Sequence, residues 1–125
     1  MAETIPPELQ QYLVKLQQLR AKLNQILTEK NIVQAQLREA ERALEILRNL
    51  SSETPIYRSA GHLMVRVSKE EAERDLSDKK DILELRLKSL EKQESSLNTE
   101  IKGIEGKINE ILGRYYGATT RKGGG

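Results

Sequence analysis

Apolar side chains recur along the first part of the chain at alternating offsets of three and four. Leu9, Leu16, Leu23, Lys30, Leu37 and Leu44 form one series spaced by seven. Tyr12, Leu19, Ile26, Val33, Ala40 and Leu47 form its companion, and only Lys30 breaks the pattern. A run sustained over that many heptads predicts a helix whose a and d positions make a coiled-coil seam. Lys30 either carries its ammonium past the partner helix on an aliphatic stem or acts as a polar residue that sets register. The same periodicity returns in the second half. There the series are Leu76, Leu83, Leu90, Leu97, Ile104 and Ile111, with Lys80, Leu87, Glu94, Ile101, Ile108 and Tyr115. Lys80 and Glu94 weaken that seam without ending it.

The limits of both helices are written in local chemistry. Pro6, Pro7 and Glu8 suit a helix start, where a missing N–H costs nothing. Ser51, Ser52 and Pro55 stop the first helix near Leu50. Ser68-Lys69-Glu70-Glu71 reads as a capping box, with acidic residues crowding the first turn. Gly103 and Gly106 lower helix propensity inside the second helix by about 1 kcal/mol each against alanine. The expected organisation is a coiled-coil helix over 7–50, a hairpin segment over 51–68, a second coiled-coil helix over 69–116 and a disordered tail over 117–125. The two helices match at roughly 60–65 Å. A short connection then folds them antiparallel, with Leu9 opposite Glu110 and Leu47 opposite Ala72.

Between the helices the period changes to two. Ile56-Tyr57-Arg58 reads as a strand, Ser59-Ala60-Gly61 as a turn in which Gly61 takes positive φ, and His62 to Val67 as the return strand. Leu63, Val65 and Val67 share one face; Met64 and Arg66 share the other. A lone two-stranded hairpin is marginal in water and leaves unpaired edges. The first helix also carries a wider apolar stripe, Ala43, Ile46 and Leu50, beside this segment. The two features together predict an obligate subunit. Strands from other copies or a related chain complete the sheet, and the stripe packs beneath it. The fold class is therefore mainly α: a long antiparallel two-helix coiled coil joined by one β-hairpin that completes an intersubunit β-barrel.

Composition narrows the function. Aromatics are 3% of residues, charged residues 32%, and the chain lacks Trp, Phe and Cys, a profile of coiled coils rather than compact enzymes. Without cysteine there is no disulfide and no thiolate metal site. No apolar run is long enough to span a membrane, and the first residues do not read as a signal peptide. The net charge of +2 is spread over interleaved residues, which gives no concentrated basic footprint for nucleic acid. The single histidine, His62, lies at the hairpin mouth with no nucleophile beside it. No phosphate loop or dinucleotide fingerprint occurs. The expectation is a protein that is not an enzyme, with no catalytic residues, metal or cofactor.

Four stretches carry a resemblance to a known family. They are PPELQQYLVKLQQLRAKLNQI, the hairpin turn Tyr57-Arg58-Ser59-Ala60-Gly61 with the strand ending at Val67, Lys69-Glu70-Glu71, and LKSLEKQESSLNTEI. With their layout of matched helices around one hairpin, they resemble the archaeal prefoldin β family over about residues 5–115. The resemblance implies a heterohexamer of two α and four β subunits whose hairpins build a double-barrel platform, with coiled coils projecting from it. It implies partners as well: the α subunit, further copies of this chain, non-native proteins and a group II chaperonin, in the cytoplasm and without ATP. It places Ile56, Tyr57, Leu63, Met64, Val65 and Val67 in the platform. It places Leu9, Tyr12, Leu13, Leu16, Ile108, Ile111, Leu112 and Tyr115 at client-binding tips.

The tip assignment also follows from the residues. Coiled-coil ends fray, which would expose Leu9, Leu16, Ile108 and Ile111. Leu13, Leu112 and Tyr116 lie beside the seam, within a rim of Lys15, Glu110 and Arg114. Apolar patches with polar rims mark interaction sites. Burying about 300 Å² there at about 25 cal/mol per Å² yields about 7 kcal/mol before the cost of association. One tip is then a weak binder, and several tips on one platform gain avidity. The same leucines could instead simply complete the seam. Two other functions remain open: a structural coiled-coil adaptor for one folded partner, and a helical arm reaching for RNA through Lys15, Lys22, Lys107 and Arg114.

Overall fold

A computed structural model describes residues 5–117. Four elements follow in order: α1 (Pro7–Arg48), β1 (Ile56–Ala60), β2 (Leu63–Val67) and α2 (Lys69–Leu112), with a closing π-turn over Gly113–Gly117. The described residues divide into two compact units, one built from 5–28 with 91–117, the other from Glu29–Leu90. Most of the expected tail, 117–125, lies outside the described residues.

The helix starts and stops obey the local chemistry. The Pro6 carbonyl accepts the first helical bond, from the Gln10 N–H at 3.0 Å, and Pro7 opens α1 where no donor is required. At the other end the turn tightens. Asn49 and Leu50 donate to the carbonyls three residues back, at 3.2 Å each. Ser51 then makes a turn of its own: its Oγ accepts from the Glu53 N–H (3.2 Å) and its carbonyl from the Thr54 N–H (3.0 Å). At the start of α2 the Glu71 N–H donates to Ser68 Oγ at 3.1 Å. That is one half of the expected capping box. The Glu71 carboxylate, assigned by the sequence to the other half, lies 3.8 Å from Arg58 Nη1.

In the unit carrying the helix ends, Leu9, Leu16 and Leu19 of α1 pack against Ile101, Ile108 and Ile111 of α2, with Tyr12, Leu23, Leu97 and Ile104 around them. Early α1 residues meeting late α2 residues make the pair antiparallel. In the hairpin unit, Val33, Ala40, Leu44 and Leu47 of α1 and Leu83 and Leu90 of α2 are buried. Lys30, Lys80 and Glu94 occupy their seam places half-buried. Lys80 reaches its ammonium to within 3.9 Å of Glu84, one turn on, so its stem fills the seam while its charge stays wet. Tyr115 leaves the seam and is 57% exposed. The π-turn widens the helix at Gly113–Gly117, and the heptad phase that would have turned Tyr115 inward is lost there.

The hairpin is a two-residue-loop antiparallel pair. Ile56 faces Val67, Tyr57 faces Arg66, Arg58 faces Val65, Ser59 faces Met64 and Ala60 faces Leu63. Ser59 and Ala60 therefore extend the strand instead of forming the turn, which is Gly61-His62. Gly61 has φ +61° and His62 does not have positive φ, the signature of a type II′ turn with glycine at its first central place. This turn matches the strand twist, so pairing continues to its edge.

Candidate functional site

Two surfaces remain after the seam is closed, and each belongs to one unit. The first is on the hairpin. Opposed residues share a face, so Ile56, Val67, Arg58, Val65, Ala60 and Leu63 form one side and Tyr57, Arg66, Ser59 and Met64 the other. At the base Ile56 and Val67 are half-buried; Leu63, Met64 and Val65 stand open to solvent. The first side is turned to α2, because Arg58 Nη1 donates to Asp75 Oδ2 at 2.6 Å. Beneath lies an apolar groove of about 540 Å³ whose walls include Ala43, Ile46, Leu50, Ile56, Tyr57 and Leu76. Leu47 and Ala72, expected to face each other, line the same groove.

The structure thus brings the three stripe residues and the hairpin base together around one groove. Ile46 remains 56% exposed. Lys69 adds a tie that the sequence reading missed. Its Nζ donates to the Leu50 carbonyl at 2.8 Å and the Arg48 carbonyl at 3.3 Å, satisfying acceptors that the end of α1 leaves over. Arg58 was missed too. Both ties join residues 17 to 21 positions apart, a separation that local patterning does not connect.

The second surface is beside the helix ends. The nine residues expected there divide sharply. Leu9, Leu16, Ile108 and Ile111 belong to the buried core, Ile111 at 1% exposure, and Tyr12 packs half-buried against them. In the described structure these complete the seam. Leu13, Leu112, Tyr115 and Tyr116 are exposed, Leu13 at 42% and Leu112 at 38%. Leu13 and Leu112 share one flank. Arg20 and Glu105 are paired across the helices at 3.0 Å; Leu13 precedes Arg20 by one heptad and Leu112 follows Glu105 by one, on the same sides of their helices. The other flank is polar: Glu8, Lys107, Glu110 and Arg114 surround a shallow groove with Tyr12 and Ile111. Ile5 and Val14 are further exposed apolar residues in this unit: Ile5 stands one heptad before Tyr12 but ahead of the helix start at Pro7, and Val14 lies outside the seam.

Ile32, Ile82 and Leu85 are also exposed, at outward heptad places, as scattered apolar residues commonly are. Among the described residues no group of His, Asp and Glu could hold a metal, and no helix is long and apolar enough to cross a membrane.

A sequence profile of the family described as "Prefoldin subunit" matches residues 10–115. The chain is 47% identical over 116 residues to the prefoldin subunit beta of Sulfurisphaera tokodaii, and 45% identical over 116 residues to that of Sulfolobus acidocaldarius, covering 93% of both chains in each case. Its fold is similar to the crystal structure of the prefoldin beta subunit from Thermococcus strain KS-1. That match has a TM-score of 0.83 at 33% identity and covers 89% of this chain and 97% of the other. The beta2 subunit of the same strain matches at a TM-score of 0.67 and 27% identity, over 73% of this chain and 97% of that one. Matched helices, one intervening hairpin and identity along nearly the whole length agree: the chain belongs to the prefoldin β-subunit family.

Proposed function

We propose that this chain is a subunit of an ATP-independent molecular chaperone that holds non-native polypeptide and delivers it to a group II chaperonin. Family membership implies a chaperone subunit that is not an enzyme. The finer reading rests on one observation. Leu13 and Leu112 lie exposed on a single flank, next to a core that Leu9, Leu16, Ile108 and Ile111 already close. Those two leucines are surplus to the seam and, with the exposed rings of Tyr115 and Tyr116, offer area on which a client's apolar side chains are buried.

The hairpin is the assembly element. Its two strands form a sheet of their own whose outer edges and open groove accept strands from an α subunit and from further copies of this chain, in an α2β4 hexamer. Leu63, Met64, Val65 and Val67 line the strand interface, and Ala43, Ile46 and Leu50 pack below it with Ile56 and Tyr57. Assembly gathers several weak client patches, and avidity makes the sum useful. The compartment is the cytoplasm.

The test replaces Leu13 and Leu112 with serine in the assembled complex and follows aggregation of several unrelated unfolded proteins. The expected result is an intact hexamer by native mass measurement and a severalfold loss of suppression for every client. An unchanged suppression curve overturns the patch, and binding to one folded target alone overturns the chaperone reading in favour of an adaptor.

A further inference from the structure

We propose that Arg58 is a positioning residue for assembly: it clamps the hairpin onto the first turns of α2 and aims the free strand edges before a companion chain arrives. The inference rests on the assembly reading above and adds how the hairpin is made ready for it.

Arg58 sits in the middle of β1, opposite Val65. Its guanidinium lies 2.6 Å from Asp75 Oδ2 and 3.8 Å from Glu71 Oε1. Glu71 and Asp75 are one helical turn apart, so a single guanidinium nitrogen, Nη1, meets two successive carboxylates on one face of α2. On the same side of the hairpin, Ile56 and Val67 are half-buried at the base, while Ala60, Leu63 and Val65 are exposed. Two apolar contacts at the base alone form a pivot. The Arg58 pair, further out along β1, supplies the second point that fixes an orientation. Lys69 fixes the frame to which α2 belongs, through its bonds to the Leu50 and Arg48 carbonyls. The aim of the hairpin relative to the adjoining parts of both helices is thus set within one chain.

Pre-aiming matters because a strand added to a sheet edge must match direction and register at once, and ordering the receiving edge beforehand lowers the cost of association. The side chains of the clamp are roughly half exposed, so each pair is individually weak and salt-sensitive. Its loss is felt once for every hairpin that joins the platform.

The experiment compares wild type with Arg58→Met, Asp75→Asn and the double variant, each mixed as full-length chain with an α subunit. Assembly midpoints are read by native mass measurement at low and high salt. Helix melting of the isolated chain, and hydrogen exchange of its hairpin amides, are read alongside. Each single variant is expected to raise the assembly midpoint about two- to fivefold at low salt, with the double variant no worse than either single. The difference from wild type shrinks at high salt. Hairpin amides exchange faster while helix melting stays put. Arg58→Lys, which keeps the charge but carries it on a compact ammonium, recovers part of the affinity. An unchanged midpoint, multiplicative effects of the two variants, or a helix melt that falls in step with assembly each overturn the proposal. None of these readouts involves a client, so a failure of the chaperone reading registers separately, as a fully assembled wild type that does not suppress aggregation.

Discussion

In the helix-end unit the surplus apolar groups are side chains alone. Leu13 and Leu112 flank the seam, joined by Tyr115 and Tyr116, and the backbone there is helical or π-turn, with no strand edge. In the hairpin unit the surplus comes with open strand edges, a defined groove and charged ties at Arg58 and Lys69. Both units rest on the same heptad seam. Their difference is physical. Strand edges demand a partner of fixed direction and register, because every donor must meet an acceptor. Apolar side chains demand only shape and area. One chain can therefore carry a contact that chooses its partner beside one that accepts many.

The sharpest way to break this comparison is to cut into the seam instead of its flank. Ile111 is wholly buried, and Ile111→Ala should cost about 2–5 kcal/mol of stability. Its neighbour Leu112, more than a third exposed, should lose well under about 1 kcal/mol on substitution by serine. Thermal unfolding followed by helical circular dichroism separates the two. Equal losses would mean that the flank leucine is core and that the unit has no surface to offer clients.

How much of this was legible beforehand depends on the kind of signal. The seam was legible as far as Ile111, since a period of 3.5 turns the same residues inward wherever the α-helix runs. Val33, Ala40, Leu83 and Leu90 are buried as their places require. The stripe of Ala43, Ile46 and Leu50 was legible for the same reason, as apolar width beyond the needs of two helices. The expected turn begins two residues early, at Ser59, because serine and glycine bracket that stretch but the type II′ geometry needs only Gly61 and His62. Tyr115 followed the heptad on paper and not in space, because periodicity cannot announce a π-turn. Leu9 and Ile111, expected to open where the ends fray, lie in a closed cluster in the folded chain. The arithmetic of seven identifies seam membership. It does not reveal how deeply the last turns are buried. Arg58 and Lys69 stayed hidden because their partners are set by the fold-back, not by sequence spacing.

An intermediate effect should come from Lys69. Replacing it with methionine keeps the stem and removes a charged donor from two carbonyls at the end of α1. A loss of about 1–2 kcal/mol is expected, with faster amide exchange in the turn at Asn49 and Leu50 and none in the helix-end unit. If exchange rose equally in both units, the hairpin unit would not owe its order to this tie.

The effects at glycine are no larger, the smallest being at Gly103 and Gly106, and their signs are opposite in the two units. At Gly61, Gly103 and Gly106 an added Cβ would meet nothing within 4 Å, so packing is removed from the comparison and only the backbone speaks. Gly61 has φ +61°, where an L side chain is strained. Gly61→Ala should therefore cost about 1–2 kcal/mol and raise the assembly midpoint by loosening the turn. Gly103 and Gly106 lie within α2 with exposed faces, where alanine should gain about 0.5–1 kcal/mol each by restricting the unfolded chain and favouring helix. Urea unfolding of the isolated chain measures all three. The gain also asks why glycine stands there at all, since no close approach requires it. If the patch must adapt to varied clients, the doubly alanine-substituted chain should melt higher, exchange its nearby amides more slowly and suppress aggregation over a narrower range of clients. Higher stability with an unchanged client range would show that side-chain freedom at Leu13 and Leu112 suffices and that backbone looseness in this unit has no part in recognition.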